Sequence, residues 1–322
     1  MEFNFAAFDR KPILKERMAA KGGWAIKLCI GIGAAFVLFG ILLMSLDSSA
    51  ASLLVWTIIG GVAFLAAYIS YAMVGRTIQL QEFAAQNTLT YMANHAYDNR
   101  PGMIFTSGHS RVFPQLLFAQ GRAFAELGNY QYTTGSGKSR QVHNFGFMRI
   151  KLPRRLPNMV LDSKKNNFFG GRLSNLSVGF GGAQKLSLEG DFDKYFTLYA
   201  PEQYKRDALY AFTPDVMQAL VEAVHAYDCE VIDDDFYIYS SSAFNLMDRA
   251  QLVELAGIAR KLHGELAEQT DYYADERVGD RALNMVANEG ARLKTRMAPI
   301  TIILIVILCI YYGLQLWAQL AN

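Results

Sequence analysis

Three long apolar runs constrain this chain more than any other feature of its sequence. They occupy residues 24–46, 53–74 and 299–317, and apart from Lys27 at one edge they contain no Asp, Glu, Lys, Arg or His. Each run has about 20 residues, which is the length that an α-helix needs to cross the hydrocarbon core of a bilayer. The sequence therefore predicts a transmembrane hairpin within residues 24–75 and a C-terminal transmembrane helix at 298–318.

The orientation of these helices follows from the flanking positive charge, because cytoplasmic loops are enriched in Lys and Arg. The connection 47–52 carries no Lys or Arg, and the tail after Trp317 is uncharged. We expect a multi-pass protein of the bacterial inner membrane, with the N-terminus and the large domain cytoplasmic and the C-terminus outside. The basic residues on the cytoplasmic side are Arg10, Lys11, Lys15, Arg17, Lys21, Lys27, Arg76, Arg292, Lys294 and Arg296.

The apolar runs have the composition of anchors. An ion or proton path leaves ionisable residues inside a span, since their cost there is offset only by function. Small residues such as Gly31, Gly33, Gly60 and Gly61 allow two helices to approach closely, so we expect them at a helix–helix contact.

The N-terminal segment, residues 1–23, mixes aromatic and basic side chains. Phe3, Phe5 and Phe8 come first, and the positive charges from Arg10 onward follow them before the first span. Such a segment can lie as an amphipathic element on an anionic inner leaflet. A frayed tail that only fixes the topology explains the composition equally well.

Residues 76–270 read as one cytosolic α+β domain, entered by a helical stalk that continues the second span. Short aromatic and β-branched runs, divided by Gly and Pro, predict strands between residues 103 and 167. Residues 186–239 then predict strand, helix, helix and strand, and 244–269 an amphipathic helix. The predicted fold is a mixed or antiparallel sheet with helices on one side. The charged segment 271–297 has little periodicity and is expected to be a tether to the third span.

The stretch TTGSGKS imitates a phosphate-binding loop. That loop needs GxxxxGK[ST] between a strand and a helix, so that backbone donors surround the phosphates. Lys138 and Ser139 fit, but Tyr132 occupies the position of the first glycine, and an alternating strand pattern follows. We predict a hairpin turn at residues 135–137 instead.

Metal and cofactor signatures are missing from the sequence. Three consecutive aspartates, 233–235, lack the alternation of a calcium loop, so a hairpin turn is the favoured interpretation. The five histidines lack metal-ligand spacing, and Cys29, Cys229 and Cys309 have no paired spacing. The sequence therefore predicts no cofactor and a domain without disulfides. The net charge of +2 gives no field that would attract nucleic acid.

One part of the domain is locally basic. Two interpretations are open: a solvated face, or a surface that contacts lipid head groups or a partner, given that the domain is held close to the membrane. The residues of this possible contact surface are Lys151, Arg154, Arg155, Lys164, Lys165 and Arg172.

The stretch EGDFDKYFTLYAPEQYKRDALYAFTPDVMQALVEA resembles a family of bacterial inner-membrane proteins of uncharacterised function, with actinobacterial and Saccharibacteria-type members. The pattern is an acidic-Phe-x-Lys-x-Phe strand, an Ala-rich helix, a Thr-Pro helix start and a short strand like "LYIY". The resemblance covers about residues 102–240 and implies two N-terminal spans with a cytosolic domain. It implies no catalytic residue and no cofactor, and the third span is not part of the pattern.

These observations favour a non-enzymatic, membrane-anchored module that binds a partner protein or an anionic lipid surface. The first alternative is a hydrolase or transferase that acts on a membrane-derived substrate. The second alternative is an accessory subunit of a transporter or secretion complex. Candidate catalytic residues for the enzyme, with no spacing that joins them, are Asp191, Asp193, Asp234, Asp235 and His143.

Overall fold

A computed structural model describes residues 3–47, 50–119, 124–168, 173–176, 178–280, 282–297 and 299–320. The chain forms two compact units. We call Glu2–Tyr91 with Leu246–Arg249 the helical unit, and Met92–Asn245 with Ala250–Asn322 the sheet unit.

The helical unit contains a short helix α1 (Leu14–Ala19) and two long helices, α2 (Gly23–Asp47) and α3 (Ala50–Gln86). Within the described residues, both long helices are long and apolar enough to cross a membrane, over Gly23–Leu43 and Leu54–Gln86. The predicted hairpin of two apolar helices is thus present, and α3 continues past the predicted end of its span.

The two long helices approach each other at glycines. A Cβ atom added to Gly60 would lie 2.7 Å from Val37 Cγ2 and 3.1 Å from the Gly33 carbonyl oxygen. At Gly31 and Gly61 an added Cβ atom would meet no atom within 4 Å. Gly33 and Gly60 therefore form the expected small-residue contact, whereas Gly31 and Gly61 lie outside it.

The N-terminal segment packs on the end of α3. The rings of Phe3, Phe5 and Phe8 lie 5.9, 5.3 and 5.4 Å from the ring of Phe83. The Asn87 side chain accepts a hydrogen bond from the Asn4 amide (2.6 Å) and donates one to the Asn4 carbonyl (2.8 Å). The phenylalanines are engaged within the protein, so these residues are not a frayed tail.

The sheet unit begins within strand β1 (Thr90–Ala96) and continues with β2 (His109–Phe118), β3 (Phe124–Thr134) and the 23-residue β4 (Gln141–Ser163). Short strands follow: β5 (Val178–Phe180), β6 (Lys185–Leu186) and β7 (Phe196–Tyr199), preceded by helix α4 (Phe192–Tyr195). Next come α5 (Lys205–Ala211), α6 (Pro214–Val224) and β8 (Asp228–Ser240). The last elements are α7 (Arg249–Thr270), α8 (Asn288–Ala291), β9 (Thr295–Met297) and α9 (Pro299–Leu320).

The main sheet has the strand order β1-β2-β3-β4-β7-β6, with β8 also paired to β4. The pairings β2–β3, β3–β4, β4–β7, β4–β8 and β6–β7 are antiparallel, which confirms the α+β prediction and selects the antiparallel alternative. Strands β5 and β9 form a separate two-stranded sheet. The β3–β4 hairpin turns at Gly135, whose φ of +69° suits glycine, so TTGSGKS is a turn as predicted.

Strand β8 corrects the interpretation of the three aspartates. It runs without a break from Asp228 to Ser240, so residues 233–235 lie inside a strand and are not a hairpin turn. Asp233 has φ +57° and lies opposite Leu156, where the register between β4 and β8 shifts. The extra residues are on β4, which advances eight residues from Lys151 to Met159 while β8 advances four from Asp235 to Val231, and the ladder continues past this bulge.

An aromatic cluster forms part of the core. Phe105 is fully buried, and its ring centroid lies 4.9 Å from Tyr130 and 5.2 Å from Phe147. Residues 103–105, which were predicted to be a strand, form a 3₁₀ turn, Met103–Thr106, that inserts Phe105 into this cluster.

The helices of the sheet unit follow the sequence pattern. Thr213 precedes α6 and Pro214 is its first residue, and the side chains of Val216, Leu220 and Val224 are buried. The expected apolar face of α7 is also buried. The first of the two helices expected within residues 186–239 begins as a 3₁₀ turn, Glu202–Tyr204, before α5.

The described residues of the segment 271–297, which is expected to be a tether, are packed into the sheet unit. The carboxylate of Asp275 is buried and accepts a hydrogen bond of 2.6 Å from the Tyr204 hydroxyl. Farther along, the backbone amide of Leu293 donates to Asn158 Oδ1 at 2.9 Å, and β9 pairs with β5. After this segment, α9 carries a shorter apolar stretch, Ile300–Gln315, so the third span remains a prediction.

Candidate functional site

The predicted basic surface is divided among separate local contacts. Lys151 Nζ lies 2.8 Å from Asp234 Oδ1, and Arg154 Nε donates to the Tyr273 carbonyl at 3.0 Å. Lys164 Nζ donates to the carbonyl of Asp193, and Lys165 Nζ lies 3.2 Å from His225 Nε2.

The remaining two basic residues add no common contact. Arg155 is exposed, and its backbone amide donates to Asn284 Oδ1 at 2.7 Å; Arg172 lies outside the described residues. Lys151 lies within β4 and Lys164 follows its end; Lys151 lies opposite Asp235 and Leu161 opposite Cys229, which are six β8 residues or about 20 Å apart along the sheet. The strand therefore does not gather these cations into one compact patch.

The candidate catalytic residues lie at three different places. Asp234 and Asp235 are in the middle of β8 beside Lys151, whereas Asp191 and Asp193 precede β7. His143, near the β3–β4 hairpin, hydrogen-bonds Thr134 at 2.8 Å and stacks on Tyr132. The fold brings together only neighbours in sequence, so these residues do not form a constellation with one reacting centre.

An apolar groove opens between α4 and α6. It encloses about 460 Å³. Phe192 and Tyr195 of α4 form one wall, and Met217 and Val221 of α6 form the other. The amphipathic pattern of α6 explains this arrangement. Its buried face, with Val216, Leu220 and Val224, packs into the core, whereas Met217 and Val221 on the adjacent face remain partly exposed.

The rim of this groove is acidic. Its lining includes the carboxylates Glu189, Asp191 and Glu222 and no Lys or Arg. Asp191 pairs with Lys194 at 2.7 Å, and Glu222 pairs with Lys261, in both cases with exposed side chains. Because exposed ion pairs contribute little free energy, an incoming cation can replace either lysine.

A larger cleft, about 830 Å³, lies beside the start of the 271–297 segment. Its polar side chains already bind one another: Asp207 accepts from the Tyr273 hydroxyl at 2.8 Å, and Arg277 lies 3.3 Å from Asp207. The guanidinium of Arg277 also stacks on Tyr204, 4.0 Å from the ring centroid. This network explains how the segment is held, and it leaves fewer groups for a ligand than the size of the cleft suggests.

Two buried carboxyl groups, Asp162 and Asp228, lie on the neighbouring strands β4 and β8. Burial raises the pKa of Asp162 to about 6. Burial raises the pKa of Asp228 to about 7, and the charge of Asp162 adds to the effect. Asp228 accepts hydrogen bonds from the Ser163 amide (2.9 Å) and from Asn166 Nδ2 (3.0 Å). Neither carboxyl group lines the groove or the cleft described above.

Sequence reasoning missed this pair. Asp162 ends an apolar strand in LDSKKNN, and Asp228 begins another in YDCE, 66 positions later. The usable signal was a carboxylate at the end of each of two buried strands, with two asparagines close behind the first. Within the described parts of the chain, no group of three or more His, Cys, Asp and Glu side chains could hold a metal ion.

Comparison with known proteins adds one distant likeness. No family model and no curated protein matches the chain. Among solved structures, the chain is similar to the crystal structure of the mycobacterial trehalose monomycolate transport factor A, TtfA, at 14% identity. The likeness covers 60% of this chain and 94% of that chain with a TM-score of 0.37, which is too low to support an argument about function.

Proposed function

We propose that this protein is a membrane-anchored interaction module whose sheet unit binds a basic, amphipathic segment of a partner protein. The observation that carries the proposal is the groove between α4 and α6, with apolar walls and a rim of carboxylates. Partners for such a groove are helices or extended segments that present apolar anchors flanked by Lys or Arg.

The walls of the groove suit side-chain anchors. Tyr195 is 40% exposed although it belongs to a helix of the packed domain, and Met217 lies opposite it. Methionine adapts its shape to different apolar groups, and aromatic side chains supply large contact area with little loss of conformational freedom. Burying these two side chains together with Val221 gives a partner its main source of affinity.

The acidic rim favours one sign of charge. Glu189, Asp191 and Glu222 would repel an acidic partner and attract a basic one, which raises the rate of association more than the final affinity. We place the sheet unit on the cytoplasmic side, as the distribution of positive charge along the sequence indicates. A partner in a transporter or secretion complex of the same membrane would then be within reach, and this is the alternative we retain.

The test is binding of a synthetic Lys/Leu amphipathic peptide to the full-length protein in detergent, followed by fluorescence anisotropy. We expect binding that weakens with salt and falls at least tenfold in the double variant Met217→Glu, Val221→Glu. Val253→Glu is the matched control, because Val253 is an exposed apolar residue (46%) on α7, outside the groove.

Equal affinity of the wild type and the groove variant for the peptide would refute the proposal. Equal loss of binding in the Val253 variant would do the same, because it would show that the loss does not depend on the groove.

A further inference from the structure

A small pocket in the sheet unit lies between the 3₁₀ turn Met103–Thr106 and the two-stranded sheet of β5 and β9. It encloses about 180 Å³. The buried side chains of Met103, Ile232 and Leu293 form its apolar floor, and the exposed Thr295 lies at its mouth. A cavity of about 150 Å³ holds a molecule of the size of benzene, so this pocket has room for a ligand of about six non-hydrogen atoms.

The carboxyl group of Glu230, on β8, lines this pocket and is held in a fixed orientation. Its Oε2 atom accepts hydrogen bonds from the Met103 backbone amide at 2.7 Å and from the Tyr239 hydroxyl at 2.9 Å. Its Oε1 atom accepts one from Asn158 Nδ2 at 3.1 Å. Each oxygen of an ionised carboxylate has two acceptor positions, so Oε1 can accept one more hydrogen bond.

The charge of Glu230 is not neutralised by a cation within the described part of the chain. Its three hydrogen-bond partners are neutral donors, and the residue is 4% exposed. Arg292 is the basic residue of the described lining, but its guanidinium pairs with Asp233 at 3.0 Å. Burial raises the pKa of Glu230, although its hydrogen bonds and Arg292 act in the opposite direction. A buried charge is costly unless it is paired, so this carboxylate is suited to receive a positive group.

The surrounding backbone accommodates this carboxylate. Gly102 has φ +119°, and a Cβ atom added there would lie 2.6 Å from the hydroxyl of Tyr239, which donates to Glu230. The Asn158 amide oxygen accepts from the Leu293 amide at 2.9 Å while its nitrogen donates to Glu230. The polar base of the pocket is therefore pre-organised around one acidic group.

We propose that this pocket binds a small aliphatic amine in its protonated form, with the ammonium group against Glu230. An ammonium group has three donors and no acceptor, so it complements the open position on Oε1. The apolar side chains of Val178 and Phe180 then cover the carbon chain. This inference stands apart from the proposed function, because none of the lining residues belongs to the groove.

Two other classes of ligand fit the pocket less well. A Ca²⁺ or Mg²⁺ ion requires about six or more oxygen ligands, whereas the described lining offers one carboxylate, and the Asn158 amide oxygen is already bound to Leu293. An anionic ligand would be repelled by the charge of Glu230, since like charges in contact are unfavourable.

The experiment is isothermal titration calorimetry of the full-length protein in detergent with n-butylammonium chloride at neutral pH, with the heat of titration into empty micelles subtracted. Alkylamines resemble the Lys side chain, whose pKa is about 10.4, so the probe is a cation under these conditions. We expect saturable binding. 1-Butanol, a neutral probe of the same length, should bind about tenfold more weakly or worse, because it cannot neutralise Glu230.

Two variants separate the charge from the cavity. Glu230→Gln should weaken butylammonium binding about tenfold or more and leave butanol binding unchanged. Its control is Glu222→Gln, an exposed carboxylate outside the pocket, which should bind like the wild type. Val178→Trp should fill the pocket and abolish binding of both probes, whereas Val142→Trp, at an exposed position of β4 outside the pocket, should change neither.

Absence of saturable butylammonium binding to the wild type would overturn the proposal, and so would equal affinity for butylammonium and butanol. Undiminished binding in Val178→Trp would overturn it independently of whether Glu230→Gln folds. Nα-acetyllysine amide, which carries the same butylammonium group on a peptide backbone, should bind more weakly than the free amine. Tighter binding of that compound would assign the pocket to a lysine side chain of a protein and overturn the assignment to a small molecule.

Discussion

Replacing Asp275 by Asn should release the segment that leads to the last helix. The Asp275 side chain accepts hydrogen bonds from the Tyr204 hydroxyl at 2.6 Å and from the backbone amides of Ala287 and Arg277, both at 2.9 Å. The Arg277 guanidinium lies 3.3 Å away. These contacts fix residues 275–280 and 287 within the sheet unit, so their loss should act first on that segment.

The magnitude follows from the charge that the substitution removes. A hydrogen bond to a charged group contributes about 1.5–3 kcal/mol, whereas a neutral one contributes about 0.5–1.5 kcal/mol. Asn keeps the shape of Asp but offers one acceptor oxygen in place of two, and it leaves Arg277 without one of its carboxylates. Because Arg277 is partly exposed and keeps Asp207 as a partner, we expect a loss of about 1–3 kcal/mol in the free energy of unfolding.

The pH dependence gives an independent signature. Burial alone would raise the pKa of Asp275, but the Ala287 amide, the Tyr204 hydroxyl and Arg277 outweigh it and lower the pKa below 3.8. A carboxyl group whose pKa is lower in the folded state stabilises the fold above its ordinary pKa. That contribution is lost as the pH falls below 3.8, so the stability difference between wild type and variant should shrink there.

The measurement is urea unfolding of the full-length protein in detergent, combined with hydrogen exchange of residues 276–291. We expect the amides of that segment to exchange much faster in Asp275→Asn. Asp271→Asn is the control, because Asp271 is exposed and near the start of the same segment. A variant whose unfolding free energy stays within 0.5 kcal/mol of wild type, with unchanged exchange, would refute the reasoning.

Two further perturbations address the helical unit and the basic residues. Gly60→Leu should lower the stability of the helical unit by about 1–3 kcal/mol, because Val37 and the Gly33 carbonyl occupy the space, whereas Gly61→Leu should leave the thermal midpoint in detergent unchanged. If the basic surface contacts lipid, neutralising it should weaken the flotation of the full-length protein with anionic vesicles at low salt. Unchanged flotation would exclude that contact. The residues to neutralise together are Lys151, Arg154 and Arg155.

The local parts of the fold were predictable from sequence because their signals are local. The β3–β4 turn is marked by its glycines, α6 by Thr213-Pro214, and α7 by an apolar repeat of three and four residues. The two N-terminal apolar helices follow from composition alone. In each case the residues that determine the element lie within it.

The errors have a common physical cause, which is pairing between distant residues. The three aspartates looked like a turn, but the bulge at Asp233 exists because β4 shifts register opposite it. Residues 271–297 looked like a tether because their anchor, Asp275, meets Tyr204 71 positions away. The buried pair Asp162 and Asp228 was missed for the same reason, since only the β4–β8 pairing brings the two together.

The shared strand β4 also has a consequence for how the chain is made. Its hairpin partner β3 precedes it, but its other long partner, β8, begins 65 residues after Ser163. At a synthesis rate of about 5–20 residues per second, one long edge of β4 waits several seconds for its partner. An unpaired edge of that length is a template for pairing with another chain, so slow translation or a missing chaperone should make this protein aggregate.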